Sequence, residues 1–70
     1  MSLTFMSIGE KRNIIDFRGK SNIKRHLQDI GFVKGEEVRV VGENSSGLIV
    51  LIKGVKIALN RGLASFVIVG

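Results

Sequence analysis

The sequence contains no cysteine, proline, tryptophan or tyrosine, and it has a single histidine. Without cysteine the chain can form no disulfide, no thiolate metal site and no cysteine nucleophile, so its core must be held by packing alone. This lack also favours a reducing, intracellular location. Because no proline, repeat or low-complexity linker interrupts the chain, we expect a single domain over residues 1–70.

Long apolar runs are also missing. The longest covers residues 48–52, whereas a membrane-crossing helix needs about 20 apolar residues. The first residues show no basic region followed by a long apolar segment, so no signal peptide is expected. We therefore predict a soluble, cytoplasmic protein.

Motifs for catalysis are absent from the sequence. A single histidine and serines in turn segments offer no paired nucleophile and base, and no glycine-rich loop precedes a Lys-Ser or Lys-Thr pair. Gly31 and Gly35 share only their spacing with a phosphate-binding loop, because the residues between them include the apolar Phe32 and Val33. We therefore expect a protein that acts by binding and is not an enzyme.

Positive charge is concentrated in one stretch. The formal net charge is +5, and residues 11–25 hold six bases against one acid, while bases and acids elsewhere are equal in number. Such a stretch attracts phosphates, anionic lipid headgroups or an acidic protein surface. A solubilising rim is the alternative. The candidate partner-binding cations are Arg18, Lys20, Lys24 and Arg25.

One amphipathic segment predicts an α-helix over about residues 22–30, with Ser21 or Asn22 as its cap. Its apolar positions repeat at the spacing of one buried helix face: Ile23, Leu27 and Ile30. Gly31 then ends the helix, since glycine adopts the left-handed conformation without steric cost. Gly35 turns the chain into a strand at 38–41.

The other segments predict β-strands. A strand or arm over 3–8 and a strand over 11–17 come first, and the three-residue spacing of the inward candidates Ile14 and Phe17 indicates a bulge. The core candidates of the first segment are Leu3, Phe5 and Ile8. At the other end, a helical turn over 60–65 precedes a final strand.

A hairpin around Lys53-Gly54 is the most sharply determined pairing, with Gly54 as a structural glycine. A two-residue turn there places six aliphatic side chains on one face, in the pairs Ile52–Val55, Val50–Ile57 and Leu48–Leu59. Together these elements predict a mainly β fold, a small β-barrel of five to six strands with one short inserted helix.

A metal site is conceivable on the helix. His26 and Asp29 are three residues apart, so both could reach one ion. Two ligands are too few, and the others would have to come from Glu36, Glu37 or a second molecule. A solvated helix face is the simpler interpretation.

Nucleic-acid binding is the alternative function, because a basic stretch can follow a phosphate backbone. Against it, all the aromatic side chains occupy positions typical of a core, which leaves no platform for stacking bases: Phe5, Phe17, Phe32 and Phe66. Docking on an acidic protein fits better, and Phe32 and Val33 could line a groove beside the cations.

The sequence resembles the FeoA family of small ferrous iron transport proteins over nearly its whole length. The most specific parts are the basic-rich helix that ends in Ile30-Gly31-Phe32-Val33-Lys34-Gly35 and the hairpin from Val50 through Gly54 to Leu59, followed by Ala64. The loop at 44–47 is shorter than the family's usual proline-containing loop, and Asn60 stands where arginine is common. If either feature contacts the partner, that contact differs here.

The resemblance implies an SH3-like barrel in the cytosol with a non-enzymatic accessory role. The implied partner is the membrane iron transporter FeoB, whose cytosolic part contains a GTP-binding domain. No cofactor is implied as a requirement, while Fe²⁺ or another divalent metal remains a candidate ligand. We expect a monomer or a weak dimer.

Overall fold

A computed structural model describes all 70 residues and contains one antiparallel sheet of five strands, in the order β4-β3-β2-β1-β5. The elements along the chain are a 3-10 helix Leu3–Phe5, β1 Lys11–Phe17, α1 Ser21–Asp29, β2 Glu37–Glu43, β3 Gly47–Ile52, β4 Val55–Asn60, α2 Arg61–Ala64 and β5 Val67–Val69. The mainly β architecture with one inserted helix is therefore the one that the sequence predicts.

A single apolar core lies inside the curved sheet, and no polar or charged residue is buried in it. It is built from residues of every element: Leu3, Met6, Ile14, Leu27, Phe32, Val38, Val40, Leu48, Val50, Ile52, Leu59, Ala64, Val67 and Val69. Phe32 is its largest fully buried side chain. No helix of the structure is long and apolar enough to cross a membrane.

The first segment contains a 3-10 helix, so of the predicted strand or arm over 3–8 the strand is wrong. The hydroxyl of Ser2 accepts a hydrogen bond from the backbone N–H of Thr4 at 3.3 Å and starts the helical turn. Leu3 is buried, but Phe5 is 76% exposed and Ile8 is 60% exposed. Only one of the three predicted core residues is therefore in the core.

Strand β1 contains the predicted bulge. Its register with β5 shifts between Ile14 and Asp16. Ile14 is buried, and Phe17 is half-buried and packs against the core. The bulge thus lets two residues three positions apart both face inward.

Helix α1 begins one residue earlier than the sequence predicts. The residue before it is Lys20, whose side chain makes no capping hydrogen bond, and Ser21 is already helical. The predicted cap by Ser21 or Asn22 is therefore wrong. The loop before the helix positions this end instead.

The end of α1 has the hydrogen bonds of a Schellman motif. The N–H of Phe32 donates to the carbonyl of Leu27 at 2.9 Å, and the N–H of Gly31 donates to the carbonyl of Gln28 at 3.1 Å. Gly31 has φ +113°, a conformation that L side chains rarely adopt. The chain therefore reverses sharply, and Phe32 enters the core.

The β3–β4 hairpin has the predicted register. Its three inward pairs are Ile52–Val55, Val50–Ile57 and Leu48–Leu59. Lys53 and Gly54 form the turn with φ values of +51° and +77°. Val55 is nevertheless 58% exposed, at the turn end of β4, the edge strand of the sheet. Ile57 is half-buried against the core.

The two edges of the sheet differ. The β5 edge is covered by the start of the chain, since the N–H of Val69 donates to the Met1 carbonyl at 2.7 Å and the N-terminal amine donates to the Val69 carbonyl at 2.9 Å. On β4, Lys56 and Ala58 pair with β3 at positions whose backbone groups point away from that strand. Their N–H and C=O groups bond to no other segment, so the β4 edge is open.

Candidate protein-docking surface

Four predicted cations lie together on the loop between β1 and α1 and on the first turns of α1. All four side chains are exposed: Arg18, Lys20, Lys24 and Arg25. We call this set the helix surface. The backbone N–H of Arg18 donates to the Phe66 carbonyl at 2.7 Å, which ties the loop to the segment between α2 and β5.

Gly19 brings this loop close to the protein body. It has φ +94°, and a Cβ added there would lie 3.1 Å from Cδ1 of Phe66 and 3.4 Å from Cδ1 of Ile23. Both of these side chains pack against the core. The loop that carries Arg18 and Lys20 therefore lies directly on apolar side chains that pack against the core.

The charges of the helix surface form no ion pair within the protein. The four ion pairs of the structure are Arg12–Glu10 at 2.6 Å, Lys34–Asp16 at 3.5 Å, Lys53–Glu36 at 3.4 Å and Arg61–Glu43 at 3.1 Å. None involves a residue of the helix surface. Three more bases, none of them among the predicted partner-binding cations, also lack such a pair: Lys11, Arg39 and Lys56.

Asp16 on β1 is affected by the charge of Lys24 on the helix surface. The backbone N–H of Phe17 donates to its carboxylate at 2.8 Å. This bond is the main reason that the pKa of Asp16 is lowered, and the charges of Lys34 and Lys24 lower it further. The carboxylate is exposed and forms its ion pair with Lys34 and not with Lys24, so it offsets the charge of the helix surface only in part.

Two aromatic residues differ from what the sequence predicts, Phe32 as a groove residue and Phe5 as a core residue. Phe32 is fully buried, so it cannot line a docking groove without unpacking the core, whereas Val33 beside it is half-buried and partly accessible. Phe5 was expected in the core but is 76% exposed. The other two phenylalanines, Phe17 and Phe66, are half-buried and pack on the core. A single exposed aromatic side chain gives little platform for stacking bases.

His26 and Asp29 are both exposed on α1. No three His, Asp or Glu side chains of the chain gather closely enough to hold a metal ion. Glu36 and Glu37 therefore do not join this pair, and Glu36 is bound to Lys53 instead. A metal bound by His26 and Asp29 stays a prediction.

Neither of the two surface pockets lies at the helix surface. One is bounded by the loop at 44–47 and the end of β4, and the other lies beside Arg39 and the Lys53-Gly54 turn. The helix surface is thus an open array of charges and not a cleft with converging polar groups. Such an array suits contact with another macromolecule better than enclosure of a small molecule.

Comparison with known proteins identifies the family and the fold. The family model of the FeoA domain matches residues 1–70. A crystal structure of an iron uptake regulatory protein (FeoA) is 28% identical, covers 99% of this chain and 93% of its own, and has a TM-score of 0.90. A search of curated proteins gave no match.

Two other solved structures show how widely the fold occurs. The zinc complex of FeoA from Stenotrophomonas maltophilia is 30% identical, covers all of this chain and 89% of its own, and has a TM-score of 0.80. That protein is described as a prokaryotic SH3 domain protein and a candidate activating factor of ferrous iron transport. A manganese-dependent transcriptional repressor in complex with manganese is 18% identical with a TM-score of 0.88, and the match covers 97% of this chain and 35% of the repressor. The fold is therefore SH3-like.

The full-length family match and the 30% identical relative carry more weight than fold similarity alone. Together with the helix ending and the hairpin described above, they show that this chain belongs to the FeoA family, which is associated with ferrous iron transport.

Proposed function

We propose that this protein is a cytosolic, non-enzymatic accessory factor of ferrous iron uptake. It acts by docking the helix surface on an acidic region of the cytosolic part of an FeoB-like transporter. Membership of the FeoA family supports a role in ferrous iron uptake, and the open array of charges supports a role in binding.

The observation that carries the proposal is the set of four cations that form no ion pair. A cation without an internal partner is available to an external one, and clustered charges of one sign steer an oppositely charged protein toward the surface. Because Gly19 and Arg18 tie the loop to Phe66, docking orders only the long side chains and not the backbone. This preorganisation lowers the entropic cost of binding.

The test is an NMR titration of the isotope-labelled protein with the cytosolic GTP-binding part of its own FeoB. We expect amide shifts confined to the segment around Arg18, Lys20, Lys24 and Arg25, and weaker binding at high salt. The double variant Lys24→Glu/Arg25→Glu should lose most of the binding while it keeps the dispersed spectrum of a folded protein.

The matched control is Lys11→Glu/Lys56→Glu, which changes the net charge equally but lies on another face. It should bind the transporter domain as the wild type does. If both variants lose binding equally, the helix surface acts only through the net charge of the protein, which contradicts the proposal. If the Lys24→Glu/Arg25→Glu variant binds as the wild type does, these cations only keep the protein soluble.

A short RNA serves as the parallel ligand. Shifts with RNA alone, which weaken with salt, would favour the alternative that this small basic barrel binds nucleic acid. Shifts with the transporter domain alone support the proposal.

A divalent metal is not required for this docking. If His26 and Asp29 do bind one, adding Zn²⁺ as a diamagnetic probe should shift the His26 ring signals, and Asp29→Asn should weaken the effect. Unchanged ring signals at excess metal would contradict the metal prediction and leave the docking proposal intact.

A further inference from the structure

A second array of cations lies on the sheet itself. The strand register makes Lys11 on β1 the partner of Arg39 on β2, Arg39 the partner of Leu51 on β3, and Leu51 the partner of Lys56 on β4. Three bases therefore stand in one row across four strands. With strands about 4.8 Å apart, the row spans about 14 Å.

The row is uncompensated although its charges are close together. None of the three bases takes part in an ion pair, and all three are exposed. Lys11 and Arg39 are directly opposite each other, an arrangement of like charges that destabilises an antiparallel pair. The protein thus keeps an unfavourable arrangement on an open face, which indicates that something outside the chain compensates it.

An apolar row runs beside the cations. Ile49 of β3 pairs with Gly42 of β2 and with Ala58 of β4, two positions from the cation row on β3 and β4 and three on β2, where the register shifts. Ile49 is half-buried and Ala58 is exposed. Glu37 lies on the opposite side of the row and pairs with Asn13, and its carboxylate is not in an ion pair. We call the set Lys11, Glu37, Arg39, Ile49, Lys56 and Ala58 the outer sheet face.

The outer sheet face is separate from the helix surface. Leu27 of α1 is buried with Val38 and Val50, which alternate along their strands with Arg39 and Leu51. Helix α1 therefore packs toward the inner side of the sheet, and the cation row lies on its outer side. A partner on the outer sheet face leaves the helix surface free.

The composition of this face favours a protein over a nucleic acid. It has no aromatic residue on which a base could stack. A charged row bordered by apolar side chains is typical of a protein interface.

We propose that the outer sheet face is a second docking surface, which binds an acidic protein segment with carboxylates alternating with apolar residues. The carboxylates pair with Lys11, Arg39 and Lys56, and the apolar residues lie against Ile49 and Ala58. Because the two surfaces are on different sides of the sheet, the chain can hold two partners at once. This inference does not depend on the identity of the partner at the helix surface.

The test uses a short soluble synthetic peptide in which Glu and Val alternate, titrated into the labelled full-length chain. We expect shifts of the Arg39, Ile49, Lys56 and Ala58 amides, and no binding of a peptide in which Lys replaces Glu. Arg39→Glu/Lys56→Glu should weaken the binding of the peptide by at least about tenfold, while the NMR spectrum of the variant shows an unchanged fold.

The matched control is Lys24→Glu/Arg25→Glu, which should bind the peptide as the wild type does. Equal weakening in both variants, shifts centred on α1, or no shift at millimolar peptide would each overturn the proposal. A poly-uridine RNA that shifts the outer sheet face when the peptide does not would overturn it in favour of nucleic acid.

Discussion

The helix surface and the outer sheet face are both built from cations without partners, but they arise differently. The helix surface comes from neighbours in the sequence, between Arg18 and Arg25, on a loop that Gly19 holds against Phe66. The outer sheet face comes from residues up to 45 positions apart, Lys11 and Lys56, which only the strand register brings into one row.

The difference shows that equal numbers of bases and acids in a part of the sequence do not mean that every base there is paired. Outside residues 11–25 the bases and acids are equal in number, which suggests neutrality there. In the structure, acids in that part of the chain pair with Lys53 and Arg61, whereas Arg39 and Lys56 are in no ion pair although Asp29 and Glu37 are also unpaired. Charge balance is therefore a property of the pairing and not of the sum.

Gly47→Ala should break the outer sheet face with the largest effect. A Cβ at this position would overlap the carbonyl oxygen of Leu59 on the opposite strand, and backbone atoms cannot move aside as a flexible side chain can. We expect a loss of about 3 kcal/mol in the free energy of unfolding, measured by urea denaturation. Gly42→Ala is the control, since its Cβ would lie at an ordinary 3.8 Å from Ile49.

Gly31→Ala should weaken the helix surface with a smaller effect. The added Cβ would lie 3.7 Å from Cδ1 of Ile57, so it has room, and the cost comes from φ +113° alone. We expect a loss of about 1–2 kcal/mol in the same urea experiment. An unchanged midpoint would contradict the role of this glycine as the end of α1.

Acid should destabilise the protein through Glu10 and Asp16. The pKa of Glu10 is lowered first by the Ser7 N–H and then by Arg12, and that of Asp16 first by the Phe17 N–H and then by Lys34. Since both values lie below those of the unfolded chain, the stabilisation is present above the ordinary values of 4.5 and 3.8. It is lost as the pH falls through the lowered values.

The measurement is Tm as a function of pH for the wild type and for Glu10→Gln/Asp16→Asn. The Tm of the double variant should fall less than that of the wild type as the pH is lowered. Two single variants, one on each surface, show which of the two surfaces affects the pKa of Asp16. Lys24→Gln should raise the pKa of Asp16 slightly, because Lys24 contributes to its lowering, whereas Arg39→Gln should leave it unchanged. Identical acid profiles for the wild type and the double variant would refute this account.

Arg39→Gln should have the smallest effect, and of opposite sign. It removes the like charge opposite Lys11, so we expect stability to rise by about 0.3 kcal/mol. Lys11→Gln should give a similar gain, and the double variant should gain less than the sum. Additive gains would show that the two charges do not interact across the strands.

Elements with local signals could be predicted from the sequence. The hairpin was predictable because a two-residue turn at Lys53-Gly54 fixes every later pair, and the end of α1 because Gly31 and Phe32 form a short-range motif. The bulge followed from the spacing of Ile14 and Phe17. The basic stretch was visible because its members are adjacent.

Features that depend on competition or on long-range register could not be predicted. The hydroxyl of Ser2 turns an apparently apolar strand into a 3-10 helix, which exposes Phe5. Val55 fits an inward pattern, yet its strand is at the edge of the sheet. The cation row needs the β1–β2 register, and α1 separates those strands in sequence.

The open edge of β4 has a consequence for self-association. The unpaired backbone groups of Lys56 and Ala58 could template a strand from another copy, and such growth is how small sheets aggregate. Lys56 opposes such pairing, because two β4 edges brought together would place the positive charges of two Lys56 side chains close to each other. Replacing it with an apolar residue would therefore favour a dimer joined through two β4 edges, and growth would stop there because the Met1 segment covers the β5 edge.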